Sequence, residues 1–372
     1  MTDQDETHAA HRAPNGNGHR ERNRHTFELF HRHPANPILS IADWPYPANT
    51  VFNPGAVRLP DGETLLLVRV EDRRGLSHLT IARSADGLSN WRIDSSPTIP
   101  ADPQGHPEEL WGIEDPRIVW LPEIEQYAIT YTAYSRTGPL VALMLTRDFR
   151  SFDRRGPIMP PEDKDSAFFP RRVAGRWALI HRPVPTQGKA NMWLSFSPDL
   201  KHWGDHMVLM EARDGAYWDA GKIGLSPPPV ETSEGWLVIY HGVRHTPAGA
   251  LYRTGLALLD LDDPRRVILR GDEWVFGPEA PYELAGDVEN VVFPCGATSD
   301  LERDELRFYY GASDTSVAVA TARISELVQW LRDHTTKHVP RRRAGDYGPL
   351  GADGEPAEPA VARAAVEGGT TH

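Results

Sequence analysis

The chain has 372 residues, 40% hydrophobic and 25% charged, with a net charge of −12 and a pI near 5.7. That acidic balance excludes a nucleic-acid or anionic-membrane surface, since either would need a basic face. A single cysteine, Cys295, excludes an internal disulfide and fits a reducing, cytoplasmic setting. Lying in the apolar run VVFPCGA, it is expected to be a buried packing residue rather than a catalytic thiol.

Residues 1–26 are polar and carry no apolar core of a secretory leader, and no stretch approaches the roughly 18 apolar residues of a membrane span. Such a composition cannot bury enough apolar surface to order itself, so this tail is expected to be disordered. Residues 336–372, rich in Gly, Pro, Ala and Glu, are expected to behave likewise. Residues 27–335 between them form one expected domain.

Within that span one unit recurs five times: a polar residue entering a short strand, a turn, a second apolar strand, then a third strand and a turn. The copies begin VFNPGAVRLPDG, IEDPRIVWLPEIE, KDSAFFPRRVAG, GKIGLSPPPVETSEG and ENVVFPCGATSDLERD. Their second strands are ETLLLVRVED, QYAITYTAYS, RWALIHRP, WLVIYHGV and ELRFYYGASD. The segments SADGLSNW, TRDFRSF and SPDLKHW share a polar turn followed by an aromatic. A small sheet cannot hide its apolar face alone, and stacking copies around an axis both buries those faces and protects the edges. The expected fold is therefore all-β, a five-bladed β-propeller. Ile324 to Arg332 alone has helical spacing and reads as a short C-terminal closing helix.

In a propeller the innermost strands line a central channel, so the residues that begin them converge. These are Asn53, Asp115, Lys164 with Asp165, Lys222, and Glu289 with Asn290. The ends of the second strands add Arg69, Tyr131 or Tyr134, Arg182, His241, and Tyr310 with Asp314. Cations and carboxylates at equivalent positions suit a polyhydroxylated ligand plus an anion, and a buried channel does not tolerate them without partners. Asp115 precedes Pro116, which favours an extended backbone and aims the side chain. Buried there, its carboxyl could have a raised pKa and act as a general acid; an ion pair with Arg117 is the other reading.

At these residues the sequence resembles the β-mannoside phosphorylases of glycoside hydrolase family 130. The resemblance is carried by NPIL, DWPY, VFNPGAV, LLLVRVED, GIEDPRI, KDSAFFPRRVAGRWALIHRP, DAGKIGLSPPPV, WLVIYHGV, YRTGLALLDLDDP and YYGASD, and spans roughly Phe27 to Trp330. It implies a five-bladed propeller with no cofactor or metal. The implied reaction is inverting phosphorolysis, in which inorganic phosphate displaces a β-linked mannosyl group to give α-mannose 1-phosphate. Its partners would be a β-mannoside oligosaccharide and phosphate, with homo-oligomers common in the family.

Asp115 falls on the family's acid, whose proton in several members passes through the mannose 3-hydroxyl. Asn53, Arg69 and Asp314 fall on positions that hold the mannosyl group, with Tyr131 a further substrate-binding candidate. Lys164, Arg182, Lys222 and His241 fall on or near the phosphate positions, Lys164 departing from the Arg more common there. Phosphate is already a nucleophile, so a phosphorylase needs one acid and cations, whereas an inverting hydrolase needs a second carboxylate as base. Glu289, Asp72 and Asp165 are the carboxylates a hydrolase would draw on. A glycan-binding propeller without catalysis would need neither set.

Overall fold

Just after the third strand of four successive repeats, one aspartate turns the chain back. Asp86 accepts from the amides of Leu88 and Ser89, Asp148 from Arg150 and Ser151, Asp199 from Lys201 and His202, and Asp260 from Asp262 and Asp263, all at 2.8–3.1 Å. Side-chain capture of amides two and three residues on is the physical content of the polar-turn pattern. These amides hold the Asp86, Asp148 and Asp199 carboxyls below their ordinary pKa.

The computed structural model describes residues 29–247 and 249–336. The expectations for the two tails lie outside the described residues, apart from Thr336. In blades one to four these turns lead into an outer strand that the repeat pattern did not reveal, so the repeat there has a further strand beyond the three expected. Blade one comprises Thr50–Arg58, Thr64–Glu71, Ser77–Ser84 and Arg92–Ile93, and blade two Ile113–Leu121, Gln126–Ser135, Gly138–Thr146 and Asp153–Pro157. Blade three comprises Asp163–Phe168, Trp177–Pro183, Met192–Ser197 and Gly204–Met210. Blade four runs Lys222–Leu225, Gly235–Thr246, Gly249–Leu259 and Val267–Arg270, with Val230–Thr232 added beside the second strand.

In blade five, Val292–Asp300, Glu305–Ala312 and Ser316–Ala322 are completed by His31–Arg32 from the other end of the chain, paired antiparallel to Ser316–Ala322. Asn36 reinforces this closure by exchanging two hydrogen bonds with the Val319 backbone, at 2.8 and 2.9 Å. The ring is thus closed by hydrogen bonds between chain ends, which leaves no wide sheet edge exposed there.

Five apolar clusters fill the five spaces between neighbouring blades. The cluster between blades three and four centres on Trp236, Ile180 and Leu194; that between blades five and one joins Tyr309 and Val319 to Val68 and Val70. Trp177 and Trp236 are among the largest fully buried side chains, and truncating such a residue to alanine costs about 3–5 kcal/mol. The helix Ile324–Asp333 lays Ile324, Leu327, Trp330 and Leu331 into the cluster between blades four and five, as its spacing predicted. Cys295 is fully buried in the innermost strand of blade five, and burial pushes its thiol pKa well up despite nearby Arg117.

Candidate functional site

The innermost strands do not run regularly to the axis. Registers shift at Phe52/Gly55, Glu114/Arg117 and Lys164/Ala167, so blades one, two and three each carry a β-bulge near the start of that strand. At each bulge one residue takes a left-handed backbone: Asn53 at φ 44°, Asp115 at 50° and Asp165 at 53°. Only glycine, Asn and Asp visit that region readily, and a bulge re-aims a side chain. The extended conformation expected for Asp115 before Pro116 is therefore not what forms, because the extra residue of the bulge demands the left-handed turn.

The bulges bring the polar side chains together. Asn53 Nδ2 donates to Asp115 Oδ1 at 3.0 Å, and Arg69 Nη1 donates to the same oxygen at 3.0 Å. Arg69 also bonds Glu114 through Nη2 at 3.1 Å and Ser77 through Nε at 3.0 Å, with its guanidinium over Phe52. The expected alternative partner, Arg117, does not bond the Asp115 carboxylate. It donates instead to the backbone oxygens of Asp115, Leu225 and Ser226, tying blade two to blade four.

Burial alone would raise the Asp115 pKa. Arg69, Arg117, Lys164 and the Asn53 hydrogen bond outweigh it and hold the carboxyl below its ordinary value, which corrects the raised pKa expected from burial. Asp314 goes the other way: burial and the neighbouring Asp115, Glu71 and Glu114 charges exceed the pull of Arg69 and lift it to about 6.

A second group gathers around Asp165, which is fully buried. Arg182 Nε donates to its Oδ2 at 2.6 Å, His241 Nε2 lies 3.4 Å from the same oxygen, and Arg117 Nη2 is 3.5 Å from Oδ1. Against the effect of burial the Arg182 and Arg117 charges and the contact with His241 keep Asp165 ionised, well below its ordinary pKa. Burial lowers the His241 pKa despite Asp165, so the ring is neutral at pH 7. Its Nδ1 is buried with no hydrogen-bond partner among the described residues. The Lys164 charge acts on Asp115 and the Lys222 charge on His241. Lys222 Nζ is 5.4 Å from the Tyr252 ring centre. No side-chain hydrogen bond or ion pair joins either lysine to another described residue.

Two glycines make room for this packing. A Cβ on Gly311 would overlap Asn53 Oδ1, and one on Gly224 would overlap Asp165 Oδ2.

Of the predicted set, Asn53, Arg69, Asp115 and Asp314 thus form one group, and Lys164, Arg182, Lys222 and His241 border the next. Tyr131 is placed elsewhere. It is buried among Ile129, Ile113 and Leu79 between blades one and two, and its hydroxyl donates to Glu109 at 2.8 Å. Glu289 and Asn290 are exposed and make no side-chain hydrogen bond or ion pair among the described residues. Asp72 is occupied by Arg74, at 2.7 and 2.9 Å. Glu114, which clamps Arg69, was missed, although GIEDPR shows it beside Asp115.

A groove of about 830 Å³ lies elsewhere, lined in part by Tyr217, Trp274, Arg244 and Arg253. Arg244 and Arg253 alternate along the blade-four hairpin with Val243 and Tyr252 and so face away from His241. Its volume is large, but it holds none of the clustered charges.

The chain resembles known proteins in both sequence and fold. The sequence profile of glycoside hydrolase family 130, described as β-1,4-mannooligosaccharide phosphorylase, matches residues 21–333. A β-1,4-mannooligosaccharide phosphorylase of Ruminococcus albus is 31% identical over 316 residues, covering 83% of this chain and 92% of that protein. A β-1,2-mannobiose phosphorylase of Listeria innocua is 38% identical over 258 residues, 69% of each chain. The solved structure of a β-1,2-mannobiose phosphorylase from Listeria innocua, in complex with β-1,2-mannobiose, superposes with a TM-score of 0.75 at 30% identity. That match covers 82% of this chain and 99% of the other.

Proposed function

The chain belongs to glycoside hydrolase family 130, and from that premise we propose that it catalyses reversible, inverting phosphorolysis of β-linked mannosides. Asp115 is the acid, Asn53, Arg69 and Asp314 hold the mannosyl group, and Lys164, Arg182, Lys222 and His241 receive phosphate. One observation carries the reading: among the described residues Lys164 and Lys222 border the Asp165 group with no carboxylate at ion-pair distance, beside Arg182. Partly buried unpaired cations are unfavourable unless an anion joins them.

In the reaction a phosphate oxygen attacks the anomeric carbon from the face opposite the glycosidic oxygen, and the carbon–oxygen bond breaks. Asp115 gives its proton to the departing oxygen, and the proton of hydrogen phosphate restores the acid. The products are α-mannose 1-phosphate and the shortened acceptor. Asp115 must be protonated for this, yet Lys164 helps keep it ionised. A dianion on Lys164 cancels that pull and adds a repulsive charge, so phosphate binding raises the Asp115 pKa. The nucleophile thereby arms the acid.

Hydrolysis is less well supported, because Asp165 is neutralised by Arg182 and Asp72 by Arg74, leaving neither free to activate water. The family description and the Ruminococcus relative favour a β-1,4 linkage, and the Listeria relative a β-1,2 linkage. Incubating the enzyme with β-1,4- and β-1,2-mannobiose, with and without phosphate, tests both points. Phosphate-dependent α-mannose 1-phosphate is expected, and free mannose released at full rate without phosphate would overturn the reading.

A further inference from the structure

Blade three contains a line of polar side chains, one from each of its four strands. Asp163 Oδ2 meets His181 Nδ1 at 2.5 Å, His181 Nε2 meets Ser195 Oγ at 2.7 Å, and Ser195 Oγ meets His206 Nδ1 at 2.7 Å. One set of protons satisfies every link: His181 Nδ1–H donates to Asp163, Ser195 donates to His181, and His206 donates to Ser195. The first three residues are buried, and His206 reaches solvent. A register shift between Leu194 and Phe196, with Asp205 left-handed at φ 50°, turns His206 towards Ser195. Ser195 is fully buried, so the Asp–His–Ser order is not a nucleophilic triad open to a substrate.

Such a line costs desolvation inside a blade, and it repays that cost only by fixing what its ends touch. The outer end touches water. The inner end touches both strands that carry phosphate candidates: Asp163 directly precedes Lys164, and its Oδ1 accepts from the Arg182 amide at 3.1 Å. Lys164 and Arg182 are themselves direct partners in the strand register. Burial pushes the Asp163 pKa up, against His181 and the Lys164 amide, so losing His181 favours a neutral carboxyl with a weaker grip.

We propose that His181 and Asp163 are positioning residues for the phosphate half of the site, holding Lys164 and Arg182 in place through this line of hydrogen bonds. The inference rests on the phosphorolytic reading above. The test is steady-state kinetics with phosphate and mannoside varied separately, on wild type, His181→Asn, His181→Gln and Ser195→Ala. Asn keeps a donor where Nδ1 meets Asp163, while Gln reaches only towards Ser195. His181→Gln should raise the phosphate KM about tenfold, as expected for a lost hydrogen bond to a charged group, and leave the mannoside KM within about twofold. His181→Asn should recover most of that loss.

If His181→Gln does not fold, Ser195→Ala is read instead, with a rise in phosphate KM of about threefold expected. Both KM values moving together, or a lowered melting temperature with neither KM changed, would leave the line purely structural and overturn the inference. A wild type that cleaves mannosides without phosphate would instead sink the phosphorolytic reading, so the two failures are distinct.

Discussion

Asn53 and Asp115, 62 residues apart and in neighbouring blades, are joined by a 3.0 Å hydrogen bond from Nδ2 to Oδ1. Each occupies the left-handed position of a bulge in an innermost strand. The bond therefore requires two bulges to be in phase around the axis, which only correct stacking of blades one and two provides. Asn53 Oδ1 is buried and has no hydrogen-bond partner among the described residues.

Replacing Asp115 tests the acid. Asp115→Asn keeps the shape and a contact with Asn53 but has no transferable proton. General acid catalysis is worth about 10²–10⁴-fold, so kcat for mannoside phosphorolysis should fall at least that far. Arg69 retains Glu114 as a partner, so the melting temperature should move by only a few degrees. Activity within about threefold of wild type removes Asp115 from the mechanism.

Gly311 supplies a steric test of Asn53. A Cβ there would strike Asn53 Oδ1 and crowd its backbone nitrogen, neither of which can give way without moving the bulge. Gly311→Ala should lower kcat/KM at least tenfold, since a displacement near 1 Å at a site costs on the order of 10²-fold. Gly204→Ala is the control, because its Cβ would meet nothing within 4 Å. Equal activity of the two variants would mean that Asn53 need not stand where it does.

Asp314 should make stability depend on pH with a definite sign. Its carboxyl is lifted from an ordinary 3.8 to about 6 in the fold, so the folded state holds a proton that the unfolded chain releases. That contribution is complete below pH ~4 and is lost as pH rises through about 6. Asp314→Asn is neutral at every pH. It should exceed wild type in stability by roughly 1–3 kcal/mol at pH 7.5 and match it near pH 4, as read by urea unfolding at both. Its affinity for the mannoside should fall. A stability difference independent of pH rules out a raised carboxyl there.

The repeats made the five blades legible because each second strand carries a full apolar run, such as TLLLVRVE or GWLVIYHGV. Two of the outer strands were illegible for the opposite reason. His31–Arg32 and Arg92–Ile93 are two residues long and half exposed, too short for any period to show. Asp115 and Asn53 could be read as axial from their place in the repeat, but the bulges that aim them are a matter of register, which a single strand does not encode. Tyr131 shows the cost of that gap. It alternates in phase with Ile129 and Ala133, so its face is the blade interface and not the channel. Asp165 read as a spare carboxylate because Arg182 and His241, its partners, come from other strands and another blade.

The coupling between phosphate and Asp115 gives the last prediction. Sulfate is a useful probe, since it remains a dianion across the range in which carboxyls titrate, so any pH dependence of its binding comes from the protein. Bound at Lys164, Lys222 and Arg182, it should raise the Asp115 pKa, and a group whose pKa rises on binding takes up a proton in the complex. Sulfate affinity should therefore be greatest at acid pH and fall as pH rises through the Asp115 pKa of the complex. Titration calorimetry in buffers of different ionisation enthalpy should show net proton uptake in that window. Asp115→Asn should bind sulfate more tightly than wild type at neutral pH, having lost a nearby negative charge, and should lose most of the pH dependence. The share that remains belongs to Asp314 and His241, which also border the charges. Lys222→Ala and Arg182→Ala should each weaken sulfate and raise the phosphate KM by about tenfold or more, since a hydrogen bond to a charged group is worth roughly 1.5–3 kcal/mol. They should also shrink the thermal stabilisation that phosphate confers on wild type. Sulfate affinity that is flat with pH in wild type, or unchanged in both cation variants, places the anion elsewhere and separates Asp115 from the nucleophile.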